Sequence, residues 1–323
     1  MELVVDVARP VVAVGECMLE LSCMGAAEGA RLGAGWTLGL GGDTYNTAVH
    51  LRRLGLPVRY FSALGQDQYS AEMLAAWRAE GLDTGLVLFH PRHIPGLYAI
   101  HTDAQGERGF AYWRSCSAAR SLFDLPGIES ALAAAETAGL LYLSGITLSL
   151  FGPAQHARLV ELAACVRARG GVVAFDGNYR PAGWADVAAA RAAMQAVAPQ
   201  VSIALPTLED EQRLFGDASA GDVIDRWLGS GAIEVVVKRG AAGCVVGAAS
   251  GRVEVPAAAV DRVLDTTGAG DAFNAGYLAA RAHGKAPPEA AQAAARLAAR
   301  VVQHRGALLP RQQAWSADPG GHG

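Results

Sequence analysis

Asp265-Thr-Thr-Gly-Ala-Gly-Asp271-Ala-Phe-Asn-Ala-Gly276 sets three small residues, Gly268, Ala269 and Gly270, directly before a stretch of helical period. The pattern predicts a helix over 271–283. Small residues at such a junction let an anion approach bare backbone N–H groups, where the helix dipole adds positive potential. The same field is expected to keep Asp271 ionised in the first turn and aimed at the anion. A base that takes a proton from an attacking hydroxyl must sit there. Gly268, Ala269, Gly270 and Asp271 are therefore the catalytic candidates. For an isolated Gly-Ala-Gly-Asp the plainer reading is a capping aspartate, so the stretch has to be judged with its surroundings.

Those surroundings alternate. Short apolar runs at 11–14, 58–63, 140–143, 172–175, 201–205 and 233–238 read as strands. Helical periods at 43–54, 69–80, 153–168, 186–198 and 219–229 lie between them. Asp43 stands before the first helix and Gly55 after it, as start and stop signals. Alternation of this kind implies an α/β fold of three layers, with a mainly parallel sheet between helices. Ligands in such sheets collect at the carboxyl ends of the strands.

Two segments, 16–42 and 93–116, break the rhythm with short alternating or glycine-punctuated runs. Residues 96–102 and 108–113 read as a hairpin joined by a turn at 103–107. The expected organisation is a core of 1–16, 43–92 and 117–312, with a β-lid of 17–42 and 93–116 inserted in it. A flexible tail occupies 313–323. The plainer alternative for the inserted segments is an ordinary edge hairpin. No fixed period marks an internal repeat.

Gly41-Gly-Asp43-Thr-Tyr-Asn46-Thr-Ala48 is the second informative stretch. A glycine pair ahead of a helix lets the chain approach a small ligand closely, and Asp43 and Asn46 can bond polyol hydroxyls. Asp43 as a simple N-cap is the rival reading.

Bulk properties narrow the function classes. The 323 residues are 51% apolar and 18% charged, ordinary for a soluble enzyme. A net charge of −4 gives no general attraction to nucleic acid or anionic membrane. No apolar run approaches the roughly 20 residues of a spanning helix. MELVVDVARP carries acids where a signal peptide has a basic flank. The five cysteines are scattered and never in CxxC spacing, which argues for reduced thiols in a cytoplasmic protein rather than a disulfide frame or zinc site. The histidines show no metal spacing. Glu209-Asp210-Glu211 reads as a solvated helix face, and Arg108 and Arg120 as solvated charges.

The two stretches, in this order and this far apart, resemble the signatures of the ribokinase-like sugar kinases, the phosphofructokinase B group. The family has no Walker-type loop, and G-x-x-x-x-G-K-[ST] is absent here too. Gly15-Glu-Cys-Met-Leu-Glu-Leu-Ser22, Leu97-Tyr98, Tyr112-Trp-Arg114, Leu143-Ser-Gly145, Asp176-Gly-Asn-Tyr-Arg-Pro181 and Arg305-Gly-Ala-Leu-Leu-Pro310 extend the likeness over nearly the whole chain. They are similar to the branch that phosphorylates 2-keto-3-deoxygluconate.

The resemblance implies ATP-dependent phosphorylation of a keto-sugar acid with Mg2+. Gly41, Gly42, Asp43 and Asn46 would serve the sugar. A keto acid also needs cations, and Arg114 and Arg180 are the candidates because arginine binds carboxylate through paired donors. Tyr98 and Tyr112 would add faces and hydroxyls. The nucleotide is implied along Lys238-Arg-Gly240-Ala-Ala-Gly243, near Thr207, Asn178, Gly268 and Gly270. In relatives a monovalent cation such as K+ sits beside the loop that matches Asp265 and Thr267. The lid would close over substrate, and its outer face would pair two copies in a homodimer or larger assembly. One departure stands out. Many relatives carry Asn-x-x-Glu where this chain has Thr207 and Asp210, so the magnesium shell must be organised differently. Rival readings are a kinase for ribose, fructose or a ketogluconate, or a catalytically silent sugar-binding protein. A dinucleotide dehydrogenase is set aside, because no G-x-G-x-x-G follows the first strand.

Overall fold

The computed structural model describes residues 3–23, 35–102 and 108–311. The turn expected at 103–107, residues 24–34 of the expected lid and the tail at 313–323 lie outside the described residues.

Among the described residues the strands, in chain order, are β1 (Val11–Val14), β2 (Met18–Cys23), β3 (Trp36–Gly41), β4 (Val58–Leu64), β5 (Val87–Phe89), β6 (Leu97–Thr102), β7 (Arg108–Trp113), β8 (Leu140–Ser144), β9 (Val172–Asp176), β10 (Ile203–Ala204), β11 (Glu234–Lys238), β12 (Cys244–Ala248) and β13 (Gly251–Val255). Nine of them form one sheet in the order β13-β12-β11-β10-β9-β8-β1-β4-β5, and the other four form a small sheet in the order β3-β2-β6-β7. The large sheet is parallel from β11 to β5, and only the β11–β12–β13 end is antiparallel.

The layering follows from burial. Residues of β1, β8 and β9 are buried throughout, as continuous apolar runs in a sheet covered on both faces must be. Side chains alternate between faces, so Val12 and Val14 join one core while Val11 and Ala13 join the other. The covering helices are α1 (Asp43–Arg53), α2 (Gln68–Ala79), α3 (Ile128–Ala135), α4 (Gly145–Ser149), α5 (Pro153–Ala168), α6 (Val187–Val197), α7 (Leu208–Phe215), α8 (Ala220–Gly229), α9 (Ala269–Ala282) and α10 (Pro287–Val301). The α/β architecture expected from the alternation is the one observed.

Three local differences have physical causes. The strand expected at 201–205 shrinks to Ile203–Ala204, although Ser202 and Leu205 still donate to Val173 and Phe175 on β9. The helix expected from 271 starts at Ala269, because Gly268 adopts a left-handed φ of 72° and turns the chain into the helix there. β12 and β13 form an antiparallel edge hairpin, which the βα rhythm does not foretell.

In the small sheet β2 runs parallel to β6 and antiparallel to β3, while β6 and β7 form the expected hairpin. Glu20 stands opposite Tyr98 in this register, and their side chains are hydrogen bonded.

Candidate active site

Helices α1 and α9 meet at their N-terminal ends. There the Asn46 Nδ2 donates to Asp271 Oδ2 at 2.8 Å. The two sequence stretches, distant along the chain, thus form one polar centre. Gly42 is fixed by close approach, since a Cβ there would lie 2.4 Å from the Glu16 carbonyl oxygen. Gly268 is fixed twice over, by its φ of 72° and by a contact of 2.5 Å that a Cβ would make with Ala307. Ala269 N–H closes a turn on the Thr266 carbonyl at 3.2 Å. The N–H groups of Gly270 and Asp271 belong to the first turn, where helix geometry supplies no intrahelical acceptor. Of the expected anion-binding amides, Ala269 is the one engaged in the turn.

Asp43 is not the cap of α1. Gly42 holds that position, and Asp43 accepts a bond from Asn178 Nδ2 at 3.0 Å. Asn178 itself adopts a φ of 33°, the only positive φ outside glycine among the described residues. Asp43, Asn46, Asn178 and Asp271 are all buried.

The electrostatics differ from expectation. Burial, and then the charge of Asp43, push the Asp271 carboxyl up to about 8, against the bond from Asn46. Burial, with Asp176 nearby, also raises Asp43. The reading that the helix field alone keeps Asp271 ionised is therefore corrected: removal from water opposes the charged form. Beneath the pair, Lys238 Nζ sits 3.0 Å from both Asp176 Oδ1 and Asn274 Oδ1. Asn274 Nδ2 reaches Asp176 Oδ2 at 2.7 Å and the Tyr142 hydroxyl at 3.1 Å. This network ties β8, β9, β11 and α9 together under the site.

A cleft of about 550 Å³ opens above the centre. Gly42, Asp43, Asn46, Tyr98, Tyr112, Arg114, Arg180 and Asp271 line it, with Thr267 and Gly268 at the anion end. Gly41 stands behind, where a Cβ would strike the Tyr98 hydroxyl at 1.9 Å. Both expected arginines carry partners. Arg114 Nη2 lies 2.5 Å from the buried Glu16, and Arg180 Nη1 lies 3.3 Å from Asp210. Arg120, read from sequence as a solvated charge, is half-buried and lines the cleft instead. The side chain of Arg108 lies outside the described residues.

The residues expected to hold nucleotide are spread wider. Lys238 is buried in the network, and the position of a Cβ on Gly270 would be 3.9 Å from its Nζ. Thr207 caps α7 without a side-chain bond and bridges to Lys238 through the backbone. Gly240 and Gly243 bracket the turn from β11 to β12. Of this group, only Gly268 lines the cleft. Asp265 accepts the N–H of Thr267 and of Gly306, each at 2.8 Å. The acidic cluster at 209–211 is not a solvated face: Glu211 is buried and paired with Arg226, and Asp210 is buried beside Arg180. Among the described residues no group of three or more His, Cys, Asp or Glu could by itself hold a metal ion.

The model of the pfkB family carbohydrate kinases matches residues 8–314. The chain belongs to that family. As a pfkB kinase it is 43% identical over 314 residues to the 2-dehydro-3-deoxygluconokinase of Escherichia coli (strain K12), covering 94% of this chain and 98% of the relative. The enzyme of the same name from Dickeya dadantii (strain 3937) is 41% identical over 304 residues, 92% of this chain and 96% of the relative. Among solved structures, the PfkB protein from Polaromonas sp. JS666 superposes with a TM-score of 0.81 at 29% identity, covering 92% of this chain and 97% of that one.

Proposed function

We propose that this pfkB kinase transfers the γ-phosphoryl group of ATP to the terminal primary hydroxyl of 2-keto-3-deoxygluconate, also called 2-dehydro-3-deoxygluconate. The observation that carries the reading is the cleft itself, which holds a buried carboxylate, Asp271, at a helix N-terminus and arginines among its other walls. Two relatives named for this reaction, each above 40% identity across almost the full chain, support the substrate.

Asp271 takes the proton of the attacking hydroxyl, and Asn46 holds its carboxylate in line through the 2.8 Å bond. The first-turn N–H groups of Gly270 and Asp271, with Gly268, stabilise charge that grows on the transferring phosphoryl oxygens. Asp43 and the Tyr98 and Tyr112 side chains position the polyol. This is catalysis by positioning and electrostatics, as phosphoryl transfer generally is.

Nucleotide is assigned to the strand ends around Lys238, Gly240, Gly243, Asn178 and Thr207. Mg2+ neutralises the phosphate charge when bound, and it usually keeps several waters and takes only one or two protein carboxylates. Asp210, at the start of α7, is the carboxylate that would serve such a sparse donor set, and bound Mg2+ would favour its charged form against the burial that raises it. A monovalent cation such as K+ is placed beside Asp265 and Thr267, because the buried Asp265 carboxylate favours positive charge nearby. The small sheet acts as a lid that excludes water during transfer. The enzyme is assigned to the cytoplasm as a homodimer; no described helix is long and apolar enough to cross a membrane.

The test is ATP-coupled turnover with purified protein and Mg2+ on 2-keto-3-deoxygluconate, its galactonate epimer, ribose, fructose and gluconate. Preferential turnover of 2-keto-3-deoxygluconate is expected. Preference for ribose or fructose would leave the kinase assignment standing and overturn the sugar-acid reading.

A further inference from the structure

Residues 305–309 follow α10 without forming helix or strand, so their backbone polar groups need partners from elsewhere. Two partners come from α1. His50 Nε2 lies 3.1 Å from the Ala307 carbonyl oxygen, and Arg53 Nη1 donates to the Leu309 carbonyl at 2.6 Å. A third is the Asp265 carboxylate, which accepts the Gly306 N–H at 2.8 Å. The strap held in this way backs the turn into α9. A Cβ on Gly268 would stand 2.5, 2.7 and 3.0 Å from the Cβ, Cα and carbonyl oxygen of Ala307. The oxygen that His50 holds is thus one of the atoms packed against Gly268.

His50 shares a face of α1 with Asn46, four residues before it, and Arg53, three after it. Asn46 holds the Asp271 carboxylate, so a single helix face reaches both the base and the wall behind the anion-binding turn. His50 is 3% exposed, and burial keeps its imidazole neutral, down to about 4. A neutral ring carries a single N–H, and a carbonyl partner requires that proton on Nε2.

From this geometry we infer that His50 is a positioning residue for phosphoryl transfer. Through the Ala307 carbonyl it fixes the turn at Gly268, which keeps the first-turn N–H groups of α9 aimed at the phosphoryl oxygens. Asn46, from the same helix face, aims Asp271 at the hydroxyl. The inference rests on the anion-hole reading above and is independent of which sugar is phosphorylated. Those N–H groups meet charge that grows only in the transition state, so loss of the support falls on kcat rather than on KM.

The experiment compares wild type, His50→Leu and His50→Gln on whichever sugar of the panel wild type turns over best. Leucine keeps the bulk and removes the donor, whereas glutamine returns an N–H of similar reach. For His50→Leu the expected result is a fall of about 10- to 100-fold in kcat, with KM for sugar and for ATP held within about twofold. His50→Gln should recover most of the kcat. If His50→Leu does not fold, His50→Asn, whose amide stops short of the Ala307 carbonyl, takes its place with the same expectation. An unchanged kcat, a loss confined to KM, or equal losses with and without the donor would each overturn the role of His50. Heteronuclear NMR of wild type adds two readouts. The His50 ring should be neutral with its proton on Nε2, and a proton on Nδ1 would overturn the bond. The Gly270 amide should shift when ADP, Mg2+ and aluminium fluoride, a mimic of the transferring phosphoryl group, are added with the sugar. An unmoved Gly270 amide would overturn the anion-hole reading and this one with it. A shifted amide beside an unchanged kcat in the donor-free variant would sink His50 alone.

Discussion

As the proposed base, Asp271 has to be charged to act, yet it is buried, and burial resists charge. Its carboxyl is pushed up to about 8 by desolvation and by Asp43. In the free enzyme the base is therefore largely protonated at pH 6, and kcat/KM should climb with pH through roughly that value rather than level off near 5. A pH profile of kcat/KM checks this, and a plateau from pH 5.5 upward would contradict it. The stability linkage has the opposite direction. A carboxyl whose folded-state value is raised favours the folded state at low pH, and that stability is lost as pH rises from about 4 through about 8. Asp271→Asn should remove this slope, so its melting temperature should exceed that of wild type at pH 9. Its kcat should fall by about a hundred- to ten-thousand-fold. The place of Asp271 in the first turn of a helix was legible in the sequence because glycine, alanine and an aspartate at a helix start mark that turn locally. The sense of its pKa was not, because it depends on Asp43 and Asp176, which are adjacent only in the fold. Arg120 was misread for the same reason: nothing in Ser-Ala-Ala-Arg says that its neighbours turn it into the cleft.

At the scale of elements, strand ends and helix starts are fastened to each other by the buried set of Lys238, Asp176 and Asn274. Removing one partner of a buried ion pair leaves an uncompensated charge. Lys238→Met is thus expected to cost about 3–5 kcal/mol in chemical denaturation. Pairing it with Asp176→Asn should restore much of that stability, because the orphaned charge goes too. A double variant no more stable than Lys238→Met would show that the lysine matters through packing alone. Gly268 is an element-scale residue as well, since it turns the chain into α9. Gly268→Ala should lose about 1–2 kcal/mol to the left-handed backbone alone, before its contact with Ala307 is counted. The βα units were legible from periodicity, as the match of 153–168 with α5 illustrates. The β12–β13 hairpin was not, because its antiparallel turn lies outside the βα alternation that organised the rest.

For the whole molecule, the open question of shape is what covers the small sheet. Strand alternation puts Met18, Glu20, Tyr98 and Tyr112 toward the cleft. The opposite face then carries Leu19, Leu21, Trp36, Leu38, Leu40, Leu97 and Trp113, of which Leu19 and Leu40 pack partly against the core. Trp36, Leu38 and Trp113 are 37%, 45% and 60% exposed. An antiparallel or mixed sheet packs one face and solvates the other, and the solvated face is normally polar. Here it is apolar, so a second copy of the same face, related by a twofold axis, is the natural cover. The inserted segments were visible in sequence as breaks in the rhythm, yet which of their faces is apolar appears only once β2, β3, β6 and β7 are set in register. The prediction is a solution mass of twice the 33.4 kDa chain. Leu38→Asp or Trp113→Asp should yield monomers, because a desolvated carboxylate at the centre of the contact is costly. The monomers should keep their fold while the KM for the sugar rises, since the small sheet, as the proposed lid, would lose its support on one side. A monomeric wild type, or dimers that survive both substitutions, would mean that the apolar face serves some other contact.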